Sequence, residues 1–277
     1  MSATLQLLVH GHPSGVSRAA LQAELRRQGP PPRLPLLEAV IRYAPRQQAI
    51  ARLSNMLAAP LPPGGEHLVL HAVLGLLWLM PQEPSAHQAL RDHATRLGGA
   101  AGASIEAGVI LLSEGPDALA MRADPLLLRQ SPRAVCALSQ PGALLPGLRT
   151  LVSAWMNALG QAWRTQGAQA FRAYLGDVAE AIYRVVQRSA PPCCLHDLVS
   201  AEHQAQLLDL LAAELPGTAD FLAARAMVWL IGLYGPPDDA SAAAIERARD
   251  RFANEAFHAD CALILSGGPW PPPAQGG

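Results

Sequence analysis

Of 277 residues, half are hydrophobic, 16% are charged and 5% are aromatic, and the formal net charge is −1. That composition excludes a disordered chain. With no basic surplus, it also argues against nucleic acid or an anionic membrane surface as partner. Every basic residue apart from histidine is arginine, which rules out a lysine Schiff base, a phosphate-loop lysine and a lysine general base.

Residues 1–34 form a poorly determined lead-in, with a short strand over Thr4–Val9 and a small helix over Ser17–Gln28 before the Pro30-Pro31-Pro32 break. From Leu36 onward the apolar spacing is helical. Helices are expected near 36–43, 46–59, 66–80, 85–98 and 102–113, with Ser85 and Gln88 forming a capping box for the fourth. An irregular connection is expected over 117–130, followed by Ser131 as a cap and Pro132 in a first-turn position. Two long helices come next. One carries the stripe Leu148, Leu151, Val152, Trp155, Leu159, Trp163, and the other Phe171, Tyr174, Leu175, Val178, Ile182, Val185, Val186. Further helices are expected near 195–213, 218–233, 239–253 and 255–265, with Thr218 and Asp238 as N-caps, and then a flexible Pro/Gly tail.

One segment occurs twice. Leu57-Ala58-Ala59-Pro60-Leu61-Pro62 answers to Leu211-Ala212-Ala213-Glu214-Leu215-Pro216, and Ile110-Leu111-Leu112-Ser113-Glu114-Gly115-Pro116 answers to Leu263-Ile264-Leu265-Ser266-Gly267-Gly268-Pro269. The expected fold is therefore all-α: a first helical unit (35–130), bridging long helices (131–190), a second related unit (191–269) and a tail (270–277). The longest apolar run, Leu68–Met80, is too short to span a bilayer, so no membrane insertion is expected. The N-terminus has no secretory pattern, and the four cysteines fit no disulfide framework; both suit a cytoplasmic protein.

The residues that could carry chemistry read more readily as structure. His10 and His12 lack a carboxylate or cysteine at ligand spacing. Cys193-Cys194-Leu195-His196-Asp197 is the densest ligand cluster, but adjacent cysteines suit one tetrahedral ion poorly. His258, Asp260 and Cys261 are the residue types of a thiol triad, yet helical spacing turns Asp260 away from the other two. Glu106 and Asp260 read as one acidic residue per unit on a solvated face. Gly115 and Gly268 are expected to take the left-handed conformation that ends a helix. Trp155, Trp163 and Trp229 read as core. Trp270 lies in a proline-rich segment, and its two readings are docking on a partner and docking on its own fold. No catalytic, cofactor-binding or metal-ligating residue is assigned, and no cofactor is expected. The candidate partner-contact residues are Trp270, Gly115 and Gly268.

Several segments carry a resemblance: Ala44-Pro45-Arg46-Gln47-Gln48-Ala49, Leu77-Trp78 leading to Glu83-Pro84-Ser85, Ala100–Leu112 ending at Ser113-Glu114-Gly115, and Phe171–Ala179. Over about residues 36–186 the chain resembles an uncharacterised helical protein family encoded in proteobacterial type VI secretion gene clusters, beside adaptor and spike-tip genes. It departs from that family at Ile50 and Ala51, where tryptophans are usual, and at Glu114, where the family has a glycine. The resemblance implies a non-enzymatic adaptor or chaperone whose partner is a protein, either a secretion component or an effector. The alternatives are a metal- or thiol-dependent hydrolase using Cys194, His196 and Asp197, or a secreted effector.

Overall fold

The structure is a computed structural model that describes residues 51, 84–122, 124–138, 147–188 and 193–271. The expectations for residues 1–50 and 52–83 lie outside this set, as does the side chain of Trp163. Among the described residues every regular element is helical: eleven α-helices, one 3-10 turn and no strand. The fold is all-α. The chain divides after Glu114 into two compact units, so residues 115–130 and both long helices belong to the second.

In the first unit, α1 (Pro84–Leu97) and α2 (Gly99–Ser113) are joined by Gly98, with Gly98 and Gly99 both at positive φ. The helices meet closely because Gly102 has no side chain: a Cβ there would lie 2.3 Å from the carbonyl oxygen of Ala94. Helix α2 is buried almost all round, through Ala103, Ile105, Ala107, Val109, Ile110 and Leu111, which is the pattern of a central helix. Helix α1 starts at Pro84, one residue earlier than expected, so Ser85 is inside it and Gln88 donates to Asp92 instead of reaching back to a cap. Its inner face contains Leu90, Ala94 and two buried histidines, His87 and His93, whose Nε2 atoms have no hydrogen-bond partner among the described residues. Burial is the main cause of a lowered pKa in both, with the Arg91 charge adding to it at His87 and the Arg96 charge at His93.

The second unit starts with α3 (Pro116–Ala120) and α4 (Pro125–Leu138), where an irregular connection was expected. The start of α4 is ordinary: Asp124 Oδ1 accepts from the amides of Leu126 (2.8 Å) and Leu127 (3.4 Å), and Pro125 follows the cap. Pro132 misleads the sequence reading because it lies inside the helix and not at its head. Proline cannot donate to the carbonyl four residues back, and that carbonyl belongs to Leu128. The Ser131 hydroxyl donates to it at 2.7 Å and itself accepts from Trp155 Nε1 at 2.6 Å. A serine expected as a cap is thus a fully buried repair of the break that Pro132 makes.

The long helices α5 (Leu148–Gln166) and α6 (Ala168–Arg188) turn at Gly167, φ 77°. Their apolar stripes are buried as the spacing predicts, from Leu148 to Leu159 and from Phe171 to Val185. Each fully buried leucine contributes about 1.5–3 kcal/mol relative to exposure. The helix expected over 195–213 is broken into α7 (Leu195–Leu198) and α8 (Ala201–Glu214), because Ser200 caps a new start by accepting from the His203 amide. A 3-10 turn (Leu215–Gly217) leads to α9 (Phe221–Tyr234), α10 (Asp239–Arg251) and α11 (Glu255–Leu265). Asp220, not Thr218, caps α9; the buried Thr218 hydroxyl donates to the Glu214 carbonyl instead. Asp238 caps α10 as expected, with its carboxyl held below its usual pKa by the Ser241 amide.

The principal contact is between α6 and α9. A Cβ on Gly176 would lie 2.4 Å from Ala223 Cβ and 2.8 Å from its Cα. The two segments of similar sequence each have two successive helices before the Ser-x-Gly-Pro turn, but the connections differ: Gly98 alone in the first, Phe252–Asn254 in the second.

Two outcomes follow in urea denaturation. Gly176→Ala lowers stability by about 1–3 kcal/mol because Ala223 cannot retreat. Gly160→Ala, on an open face of α5, raises it by about 0.5–1 kcal/mol through helix propensity alone. The histidines give a pH dependence. Their folded pKa lies below the unfolded value of 6.5, so their neutral forms support the fold above that pH and protonation favours the unfolded chain below it. Amide exchange in 99–113 should accelerate as pH falls from about 7.5 to about 5.5, beyond the chemical pH effect on exchange, and His87→Gln with His93→Gln should flatten the change.

Candidate partner-contact site at the C-terminal turn

Helix α11 ends in a Schellman motif, in which the Gly267 amide donates to the Ile264 carbonyl and the Gly268 amide to the Leu263 carbonyl, both at 3.0 Å. The motif requires positive φ at one residue, and Gly267 supplies it at 68°. This corrects the expectation for Gly268, which follows the left-handed residue. Gly115 also differs from expectation: with φ 90° and ψ 172° it is not left-handed helical, and it precedes α3 as an N-cap residue.

The turn carries the chain back over α9. Trp270 is half-buried there, and its Nε1 donates to the Trp229 carbonyl at 3.0 Å. The indole fits because α9 has a glycine beneath it: a Cβ on Gly232 would lie 2.6 Å from Trp270 Cδ1. Trp229 and Tyr183 complete an aromatic group, with ring centroids 5.0 Å apart and each within 6.5 Å of Trp270. Trp270 therefore docks on its own fold.

Charged groups border the aromatics. Arg225 lies 4.4 Å over the Trp229 ring, and burial lowers its pKa; it remains charged at neutral pH. Trp229 Nε1 donates to Asp260 Oδ2 at 2.8 Å, so Asp260 is a ring partner and not simply part of a solvated face. Burial raises the Tyr183 pKa to about 12, and the Asp260 charge adds to this. Arg184 pairs with Glu180 on the same helix.

The other candidates do not converge. Cys194 is exposed and caps α7, and its amide donates to Asp197 Oδ2; Cys193 is buried with its thiol on the Cys194 carbonyl. His196 Nδ1 lies 2.9 Å from Gln204 Nε2. His258 Nε2 lies 2.7 Å from the Phe252 carbonyl, while Cys261 is fully buried and its thiol is pushed up to about 12, chiefly by burial. A neutral buried thiol is not a nucleophile. Among the described residues no group of three His, Cys, Asp or Glu side chains is placed to hold a metal ion. No helix among them is long and apolar enough to cross a membrane.

Comparison with models of known protein families finds no match, and neither a curated protein nor a solved structure matches the chain.

Sequence reasoning missed Tyr183, Arg225 and Gly232 as members of this group. Arg225, Trp229 and Gly232 recur at spacings of four and three, a signal for one shared helix face. Their meeting with Tyr183 and Trp270 had no such local sign. Titration of the folded protein with a thiol reagent should give one fast-reacting cysteine of the four, lost in Cys194→Ser, with Cys136, Cys193 and Cys261 reacting only on unfolding.

Proposed function

We propose that the chain is a non-enzymatic accessory protein of bacterial type VI secretion, an adaptor or chaperone that holds an effector or spike component in the cytoplasm before export. The secretion context rests on the resemblance over 36–186. The binding role rests on one observation, the aromatic-lined face of α9 on which a proline-flanked tryptophan is seated. Faces of this kind suit recognition of protein segments, and arginines beside them supply forked donors to a partner. At the residues of the hydrolase alternative, Asp197 is taken up by the Cys194 amide and His196 faces Gln204, an arrangement that weighs against a joint catalytic use of the three.

Affinity purification of the tagged chain from its native host, with mass spectrometry of what co-elutes, tests this reading. Enrichment of a secretion adaptor, spike-tip protein or effector over a tag-only control is the expected result. Recovery of none of them would remove the assignment.

A further inference from the structure

We propose that the face formed by Tyr183, Trp229 and Gly232 is a recognition site for a tryptophan-proline segment of a protein partner, and that Trp270 occupies it as a built-in competitor. The inference deepens the binding role above and rests on it for the existence of a partner.

Three observations define the ligand chemistry. The indole lies where Gly232 leaves room on α9, with its Cδ1 and Cγ where a Cβ would be, so the site takes a flat ring close against the helix. The ring also carries a donor, since Trp270 Nε1 meets the Trp229 carbonyl at 3.0 Å. Phenylalanine would fill the space without making that bond, so tryptophan is the residue specified. The seated tryptophan is followed by Pro271, Pro272 and Pro273 in sequence. A proline-rich segment brings few backbone N–H groups that need partners and little chain entropy to lose, and aromatic side chains such as Tyr183 and Trp229 are its usual platform. The site is thus seen with its own ligand type in place.

The attachment is suited to exchange. Trp270 is only half-buried, and the tether to α11 is the Gly267-Gly268 pair. Being tethered, the tail competes at a high effective concentration and keeps free segments of the same kind out until a better or multivalent one arrives. Arg225 over Trp229 and Asp260 beneath its N–H hold that ring in place whether or not Trp270 is seated.

The test uses the full chain and a synthetic peptide of its own sequence from Gly267 to Pro273. Trp270→Ala should bind the peptide at least about tenfold more tightly than the unaltered chain, because the tethered competitor is gone. Adding Gly232→Ala to that variant should cancel the gain. A peptide with phenylalanine in place of tryptophan should bind about fivefold more weakly, for want of one hydrogen bond. Absence of peptide binding by folded Trp270→Ala, or equal binding by both chains, would overturn the proposal. Should Trp270→Ala not fold, fluorine NMR of the 5-fluorotryptophan-labelled unaltered chain decides: excess peptide must shift the Trp270 resonance, and an unmoved resonance overturns the proposal. Peptide binding together with an empty co-purification would leave the recognition site standing and remove only the secretion role. A secretion component recovered without peptide binding would do the reverse.

Discussion

Helices α6 and α9 approach so closely at Gly176 and Ala223 that one added methyl group would fall inside the van der Waals radius of its neighbour. This approach sets the geometry of the second unit. Each helix also buries other partners, α6 against α4 and α5, and α9 against α10 and α11. A shift at the crossing would therefore be felt in every layer, since packed interiors deform little. The same pair of helices supports the aromatic site. Gly176, Glu180 and Tyr183 share one face of α6 at spacings of four and three, so the residue that sets the crossing and the residue that lines the site are two turns apart on one stripe. On α9 the crossing and the site use different stripes, Ala223 for the first and Arg225, Trp229 and Gly232 for the second.

Around this crossing, polar groups close what the helices leave open. The 3-10 turn after α8 is held by arginines from two directions. Arg172 Nε pairs with Glu214 Oε2 at 2.8 Å across Gly217, and Arg251 donates to the carbonyls of Pro216 and Thr218. Arginine suits both roles because its fork satisfies several acceptors in a plane. Ser131 acts on the same principle in the core, where it gives the Leu128 carbonyl the donor that Pro132 lacks and takes the Trp155 indole N–H in return. These contacts remove the cost of buried unpaired polar atoms, which is larger than the gain from an average hydrogen bond.

The legible part of the fold is the part governed by local periodicity. The stripes of α5 and α6, the end points of α11 and the cap at Asp238 follow from residue spacing and side-chain chemistry within a few positions. The misreadings of the caps have a common cause, in that the hydroxyl expected to cap a helix is taken by another partner. Ser131-Pro132 has the composition of a helix start, but Trp155 and the Leu128 carbonyl make it an interior position. Thr218 is a good cap by type, yet its hydroxyl is used by Glu214 while Asp220 lies two residues on. The aromatic site was half legible. Trp270 stands out in sequence, and Trp229 lies on an apolar helix, but nothing local shows that Gly232 is the space between them.

The two Ser-x-Gly-Pro turns show how a single residue decides where such a site can form. In the earlier segment the residue after Ser113 is Glu114, with φ −122°, and the chain continues through Gly115 into α3. In the later segment the corresponding residue is Gly267, with φ 68°, and the chain closes a Schellman motif before folding back. A side chain at that position strains the left-handed backbone by roughly 1–2 kcal/mol, which is enough to favour the other exit. The reversal at Gly267 brings residue 270 to α9, and Gly232 gives its ring a place to lie. Two glycines far apart in sequence therefore act as one device, since neither the turn without the notch nor the notch without the turn would seat the indole.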